Sequence, residues 1–185
     1  MTFIILETKN KISLHKHVIL DLLSTSYRIL KVDEQASKLI IHHEPNKIDE
    51  KDLFLNLAEE LYTDLKVYYS DEEPKYDLND ILEWFDAVPF HQTVIYDDYQ
   101  LLLKRVDYPF DKEFKKKLLK SVFEDNDLLY TVKVFLECDQ NMSKAAKNLY
   151  LHRNTLIQRL DKFYSRTGFD CRRFVEAYII YTLLK

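Results

Sequence analysis

Between positions 153 and 162 the chain carries Arg153, Asn154, Thr155, Gln158, Arg159 and Lys162, side chains whose donors and acceptors match those of a nucleic acid. Arginine grips guanine O6 and N7, asparagine or glutamine pairs with adenine N6 and N7, and threonine offers a methyl group to thymine. Basic side chains that miss a base edge can neutralise phosphates. The set works only if one helix presents it together, so the elements around it decide.

Residues 126 to 185 read as helical throughout. Leu128, Leu129, Val132, Phe135 and Leu136 share one face of a helix ending near Cys138, and Asp139, Gln140 and Asn141 form a polar break. Ser143 is placed to cap a short helix whose inner side is Ala145, Ala146 and Leu149. After a turn of a few residues, a longer helix from Arg153 to Thr167 carries Leu156, Leu160 and Phe163 inward. Asn154 or Thr155 is its N-cap candidate, and Gly168 stands where a left-handed residue ends it. A last helix from about Arg172 is expected to bury Val175, Tyr178, Ile179, Thr182 and Leu183. A short helix with small inner residues, a tight turn and a longer helix with a basic, amide-bearing outer face is the layout of a helix-turn-helix DNA reader.

The run from Ser143 to Leu156, with its His152-Arg153-Asn154-Thr155-Leu156 block, then Arg159-Leu160 and Thr167-Gly168-Phe169-Asp170, resembles the C-terminal DNA-binding domain of PucR/CdaR-type bacterial transcriptional regulators. A more distant likeness is to the Fis-type helix-turn-helix. The resemblance covers about residues 126 to 185. It implies a DNA-binding set of Ser143, Lys144, Lys147, His152, Arg153, Asn154, Thr155, Gln158, Arg159 and Lys162. In that set His152 braces the turn, Arg153 and Thr155 meet bases or adjacent phosphates, Gln158 points to bases, and Arg159, Lys162, Lys144 and Lys147 hold phosphates. The family often has a basic residue directly after Asn-Thr-Leu, where this chain has Ile157, so relatives' operators do not transfer.

Composition agrees with a reader more readily than with an enzyme. The 185 residues contain a single glycine, against roughly 13 at ordinary usage. Phosphate loops, dinucleotide turns and the Gly-x-Ser-x-Gly elbow each need at least two. No nucleophile, base and orienting group can be assembled from the sequence, so no enzymatic activity, cofactor or metal site is expected. Cys138 and Cys171 are read as buried structural thiols. The overall charge of −4 is unevenly spread: residues 1 to 125 hold 17 basic and 25 acidic side chains, whereas 126 to 185 hold 10 and 6. A basic segment on an acidic body suits a polyanionic partner.

Before the reader, residues 1 to 125 are expected to form an α+β domain that senses a signal or dimerises. Strands are predicted at Thr2 to Thr8, Tyr27 to Val32, Lys38 to His43, Val67 to Tyr69 and Thr93 to Tyr96, with Asp33 to Ala36 as a hairpin connection. Helices are predicted after Asp49, with Leu53, Leu57, Leu61 and Leu65 on one face, from Tyr76-Asp77 to Ala87, over Asp97 to Lys104 and over Asp111 to Phe123. Asp97 and Asp98 are read as capping groups rather than a catalytic pair. The resemblance implies that this region is a degenerate GGDEF-like domain, with Val94 to Leu102 similar to its end. The paired glycines of that loop are missing, so no cyclase activity is expected.

The leading expectation is a cytoplasmic regulator that binds double-stranded DNA as a homodimer under an unknown effector, with no membrane association. The apolar surplus of Phe174, Tyr178 and Tyr181 is either an interface or packing against the body. The rival reading is an adaptor that holds a protein partner on the basic helical tail. An enzyme acting on a phosphorylated substrate is a third.

Overall fold

The computed structural model describes residues 2–35, 37–45, 51–70 and 74–185. The chain is α+β and divides into two compact units, Met1–Arg105 and Val106–Lys185.

In the first unit, β1 (Thr2–Thr8) is a nearly unbroken apolar run and lies mid-sheet, buried at every residue but Glu7, as expected of a strand covered on both faces. With β2 (Ile29–Gln35), β3 (Lys38–His43), β4 (Leu65–Tyr68) and β5 (Val94–Tyr96) it makes a sheet of order β2-β3-β1-β4-β5. All pairings are antiparallel except β4 with β5. The helices of this unit are α1 (Lys16–Leu23), α2 (Lys51–Glu60), α3 (Leu78–Ala87) and α4 (Asp98–Arg105).

Alternation along the strands sends Ile4, Leu6, Leu39, Ile41, Leu65 and Val67 to one face, where they form a core with Ile19 and Leu23 of α1 and Phe54 and Leu57 of α2. On β4 the intervening Lys66 and Tyr68 point the other way, and Lys66 reaches the C-terminal end of α3.

Several sequence expectations shift. Strand pairing runs on past Val32, setting Gln35 opposite Lys38; β2 is an edge strand, where exposed Glu34 and Gln35 are tolerated and discourage further pairing. Leu65 belongs to β4 rather than to the helical face of Leu53, Leu57 and Leu61, and Phe54 takes the buried place on α2. Asp49 and Ala36 lie outside the described residues. The helix α1 has no counterpart in the sequence reading; its N-cap, His15, makes no side-chain capping bond. Asp97 does cap, accepting Gln100 N at 2.7 Å, while Asp98 accepts the Tyr68 hydroxyl at 2.6 Å.

The second unit is all helix: α5 (Lys112–Leu119), α6 (Asn126–Glu137), α7 (Met142–Asn148), α8 (Arg153–Thr167) and α9 (Phe174–Leu184), with a 3-10 turn over Lys120–Val122. Residues 106 to 125, read from the sequence as part of the N-terminal body, pack here: α5 and the 3-10 turn lie against α8. Asp111 and Asp125 cap α5 and α6, accepting Phe114 N at 2.9 Å and Leu128 N at 3.2 Å. Cys138 and Cys171 are free and buried, and burial pushes the Cys171 thiol up to about 12. On α9 the buried residues are Glu176, Ala177, Ile179, Ile180 and Leu183; Val175 and Tyr178 are exposed, contrary to expectation. No helix among the described residues is long and apolar enough to cross a membrane.

Gly168 ends α8 in the left-handed region, φ +85, with its N–H donated to Tyr164 O at 2.8 Å. A Cβ built there would meet nothing within 4 Å. The cost of Gly168→Ala is therefore conformational alone, about 1 kcal/mol. Calorimetry should show Tm lowered by roughly 2 to 8 °C; an unchanged melt would mean that the helix does not end in this conformation. Gly168 is not the only left-handed residue: Tyr62, Lys120, Asp139, Gln140 and Tyr150 also have positive φ. The scarcity of glycine moves this conformation onto ordinary side chains.

Candidate nucleic-acid interface

The candidate interface is built on three helices. Buried Ala145 and Ala146 let α7 approach α6 and α8 closely, and Leu156, Leu160, Phe163 and Thr167 recur along the inner face of α8. Arg153, Asn154, Gln158, Asp161 and Lys162 are consequently exposed on its outer face, with Thr155 half-buried at the edge.

The capping differs from expectation at both helices. Asn141, not Ser143, caps α7: its side-chain oxygen accepts Ser143 N at 3.1 Å and Lys144 N at 3.0 Å. This leaves the Ser143 side chain exposed on the first turn. At α8 neither Asn154 nor Thr155 caps; His152 Nδ1 accepts Asn154 N at 3.3 Å. His152 thus braces the turn, and its accepting nitrogen is the unprotonated one. The Asn154 side chain is left exposed and unengaged.

Between the helices, Tyr150 N donates to Lys147 O at 3.2 Å and Leu151 N to Ala146 O at 2.9 Å. This is the paired bond pattern that closes a helix through a left-handed residue. Tyr150 is that residue, with φ +54 and its side chain 97% exposed.

Of the eight basic side chains between 142 and 173, six are engaged within the unit. Arg159 turns inward, donating from Nη1 to the Thr131 hydroxyl at 2.8 Å and so tying α8 to α6. The expected phosphate contact is thereby traded, at least for that N–H, for a structural tie. Lys162 and Arg166 converge on Asp125 at 3.2 and 3.3 Å, Arg172 lies between Asp161 and Asp170, Arg173 pairs with Glu176, and Lys144 stands 3.5 Å from Asp139. The bond from Lys162, then that from Leu128 N, holds the Asp125 carboxyl below its ordinary range. Its contribution to folding is therefore full above an unfolded-state value of about 4 and is lost as the pH falls through the lower folded-state value. Exposed pairs of this kind exchange carboxylate for phosphate at little cost.

Lys147 and Arg153 are exposed and have no partner among the described residues. They stand three residues before and three after Tyr150, on either side of the turn. With exposed Asn154 and Gln158 they add two cations and two amides to the surface of α7 and α8. All four belong to the set expected from the sequence; Tyr150 and Asn141 do not. Asn141 was legible only as one of several polar residues in the break before α7.

The family model for the PucR C-terminal helix-turn-helix domain matches residues 128–185. Two Bacillus subtilis (strain 168) proteins are similar to the chain. The uncharacterized protein YxkF is 37% identical over 75 residues, covering 36% of this chain and 25% of that protein. The purine catabolism regulatory protein is 39% identical over 80 residues, covering 41% of this chain and 15% of that protein. The chain thus spans a quarter or less of the length of either relative. A crystal structure of a regulator of polyketide synthase expression from Bifidobacterium adolescentis aligns over 98% of this chain and 77% of its own, with TM-score 0.54 and 18% identity. That likeness is one of fold. The likeness to the PucR C-terminal helix-turn-helix domain is thus confined to residues 128–185.

Proposed function

We propose that the protein is a transcriptional regulator that binds double-stranded DNA sequence-specifically, with α8 in the major groove. The observation that carries the reading is the pair of unpartnered cations, Lys147 and Arg153, exposed on either side of the turn and adjoining Asn154 and Gln158. Arg153, Thr155 and Gln158 are the base readers. Lys144, Lys147 and Lys162 hold phosphates, Lys162 by exchange with Asp125; Arg159 adds what its remaining N–H groups allow. Ser143 and Asn154 border the backbone, and His152 sets the entry angle of α8.

One recognition helix discriminates by about 1 to 3 kcal/mol per good base contact. The protein therefore acts as a homodimer, with two copies of α8 entering successive major-groove turns about 34 Å apart. The unit Met1–Arg105 favours or disfavours that spacing in response to a signal, and it carries no catalytic step.

Fluorescence anisotropy with a mixed-sequence duplex, repeated over a range of salt, tests the charge reading: the logarithm of the association constant should fall linearly with that of salt concentration. Lys147→Ala should flatten the slope by about 0.9 while weakening all sequences alike. On a duplex selected from a random pool by the protein itself, Arg153→Ala should cost about 1 to 3 kcal/mol and relax one position of the site. Unchanged binding of both duplexes by Arg153→Ala would sink the assignment of α8. Salt-independent capture of a protein, with no duplex binding, would favour the adaptor reading instead.

A further inference from the structure

Tyr150 occupies the position after α7 where the chain must turn left-handed, φ +54. A glycine there suffers no Cβ penalty, whereas a bulky side chain does. Nothing inside the unit offsets that penalty. The ring is 97% exposed, and its hydroxyl has no partner among the described residues. The folded domain gains neither burial nor a bond from this side chain, so stability alone would select glycine.

Its surroundings point outward to an anion. Lys147, three residues before it, and Arg153, three after, are the two basic side chains of the 142–173 segment left unpartnered. A phenol three residues in sequence from each of two cations can supply one donor to an oxygen whose charge such cations balance.

We infer that Tyr150 is a DNA-contacting residue whose hydroxyl donates to a backbone phosphate oxygen at the edge of the groove entered by α8. This rests on the reading of α8 as the recognition helix and adds a residue outside it. The contact fixes register rather than sequence, because phosphate oxygens are the same at every step.

The molecule contains its own control. Tyr62, after α2, is 96% exposed with φ +49, and Tyr62 N and Thr63 N bond back to Glu59 O and Ala58 O in the same pattern. Its charged neighbours in sequence are Glu59, Glu60 and Asp64 instead of free cations.

The test uses the full chain, a mixed-sequence duplex followed by anisotropy, and a thermal melt of each variant. Tyr150→Phe and Tyr150→Gly should each weaken binding about tenfold. Tyr150→Gly should hold or raise Tm, and Tyr62→Gly should do the same while leaving binding unchanged. Parental affinity in both Tyr150 variants would overturn the proposal, as would a lowered Tm in Tyr150→Gly, since the side chain would then serve the fold. If the parent protein shows no salt-dependent duplex binding, the recognition-helix reading falls and this proposal with it. If the parent binds and Tyr150→Phe keeps the parental affinity, the hydroxyl makes no contact and the proposal is overturned, whatever Tyr150→Gly does.

Discussion

Phe163→Ala is expected to cost about 3 to 5 kcal/mol, the range for deleting a fully buried phenyl ring from a packed core. Phe163 has no exposed surface and lies seven residues after Leu156 and three after Leu160, on the face of α8 that meets α6 and α5. A domain holds only about 5 to 15 kcal/mol in total, so most or all of the margin of the C-terminal unit would go. Guanidinium denaturation followed by circular dichroism should show a much earlier helical transition, and duplex binding should fall in proportion to the folded fraction. Phe163→Leu, which leaves a smaller cavity, should lose only about 1.5 kcal/mol. The contrast with Arg153→Ala separates fold from contact: that variant should keep its melt and lose only affinity. A Phe163→Ala protein within 1 kcal/mol of the parent would mean that the ring is not in the core of the reader.

The C-terminal helices were the more legible half because local rules agree there. Leu156, Leu160 and Phe163 recur at helical spacing, Gly168 stops the pattern, and the outer face carries amides and cations. Caps were less legible because rivals adjoin: Asn141 and Ser143 both suit the start of α7, and His152, Asn154 and Thr155 all suit the start of α8. Only the backbone path decides, and it favours the earlier residue each time. On α9 the pattern could not choose a face, because Phe174 to Leu184 is apolar nearly all round. Its period is set by α6 instead, which leaves Val175 and Tyr178 outside.

Charge set residues 126 to 185 apart but did not mark the edge of the unit. Residues 106 to 125 hold five lysines and five acids, so counting sees no step there, whereas packing places Phe114, Leu118 and Val122 in the C-terminal core. The missed α1 is similar. Val18 and Ile19 are adjacent β-branched residues and no side chain caps the helix start, so its helical form comes from burying Ile19 and Leu23 in the sheet core. The scarcity of glycine was a poor guide to backbone shape, since Tyr62, Lys120, Asp139, Gln140 and Tyr150 all have positive φ.

Lys66 had no signal in the sequence, where it falls between the helical run ending at Leu65 and the strand predicted from Val67. In the fold it is buried at 2% exposure, and Nζ donates to Phe85 O and Val88 O, stands 3.6 Å from Glu7 and lies 4.1 Å from the centre of the Phe85 ring. It thereby satisfies two carbonyls at the C-terminal end of α3, a duty that usually falls to a glycine turn. Burial pulls its ammonium below the ordinary lysine range, with Glu7 and Asp86 opposing. Between that lowered value and about 10.4 the unfolded chain holds more protons than the folded one, so stability should rise with pH across this window. Lys66→Ala should cost about 3 kcal/mol, from two carbonyls left without donors and a cavity beneath α3. Lys66→Met fills the space and sheds the cost of burying a charge, so about 1 kcal/mol should be lost, and the alkaline rise should vanish in both variants. Urea midpoints of the three proteins at neutral and alkaline pH decide the matter. A Met variant more stable than the parent would mean that the buried charge costs more than the two carbonyl bonds return.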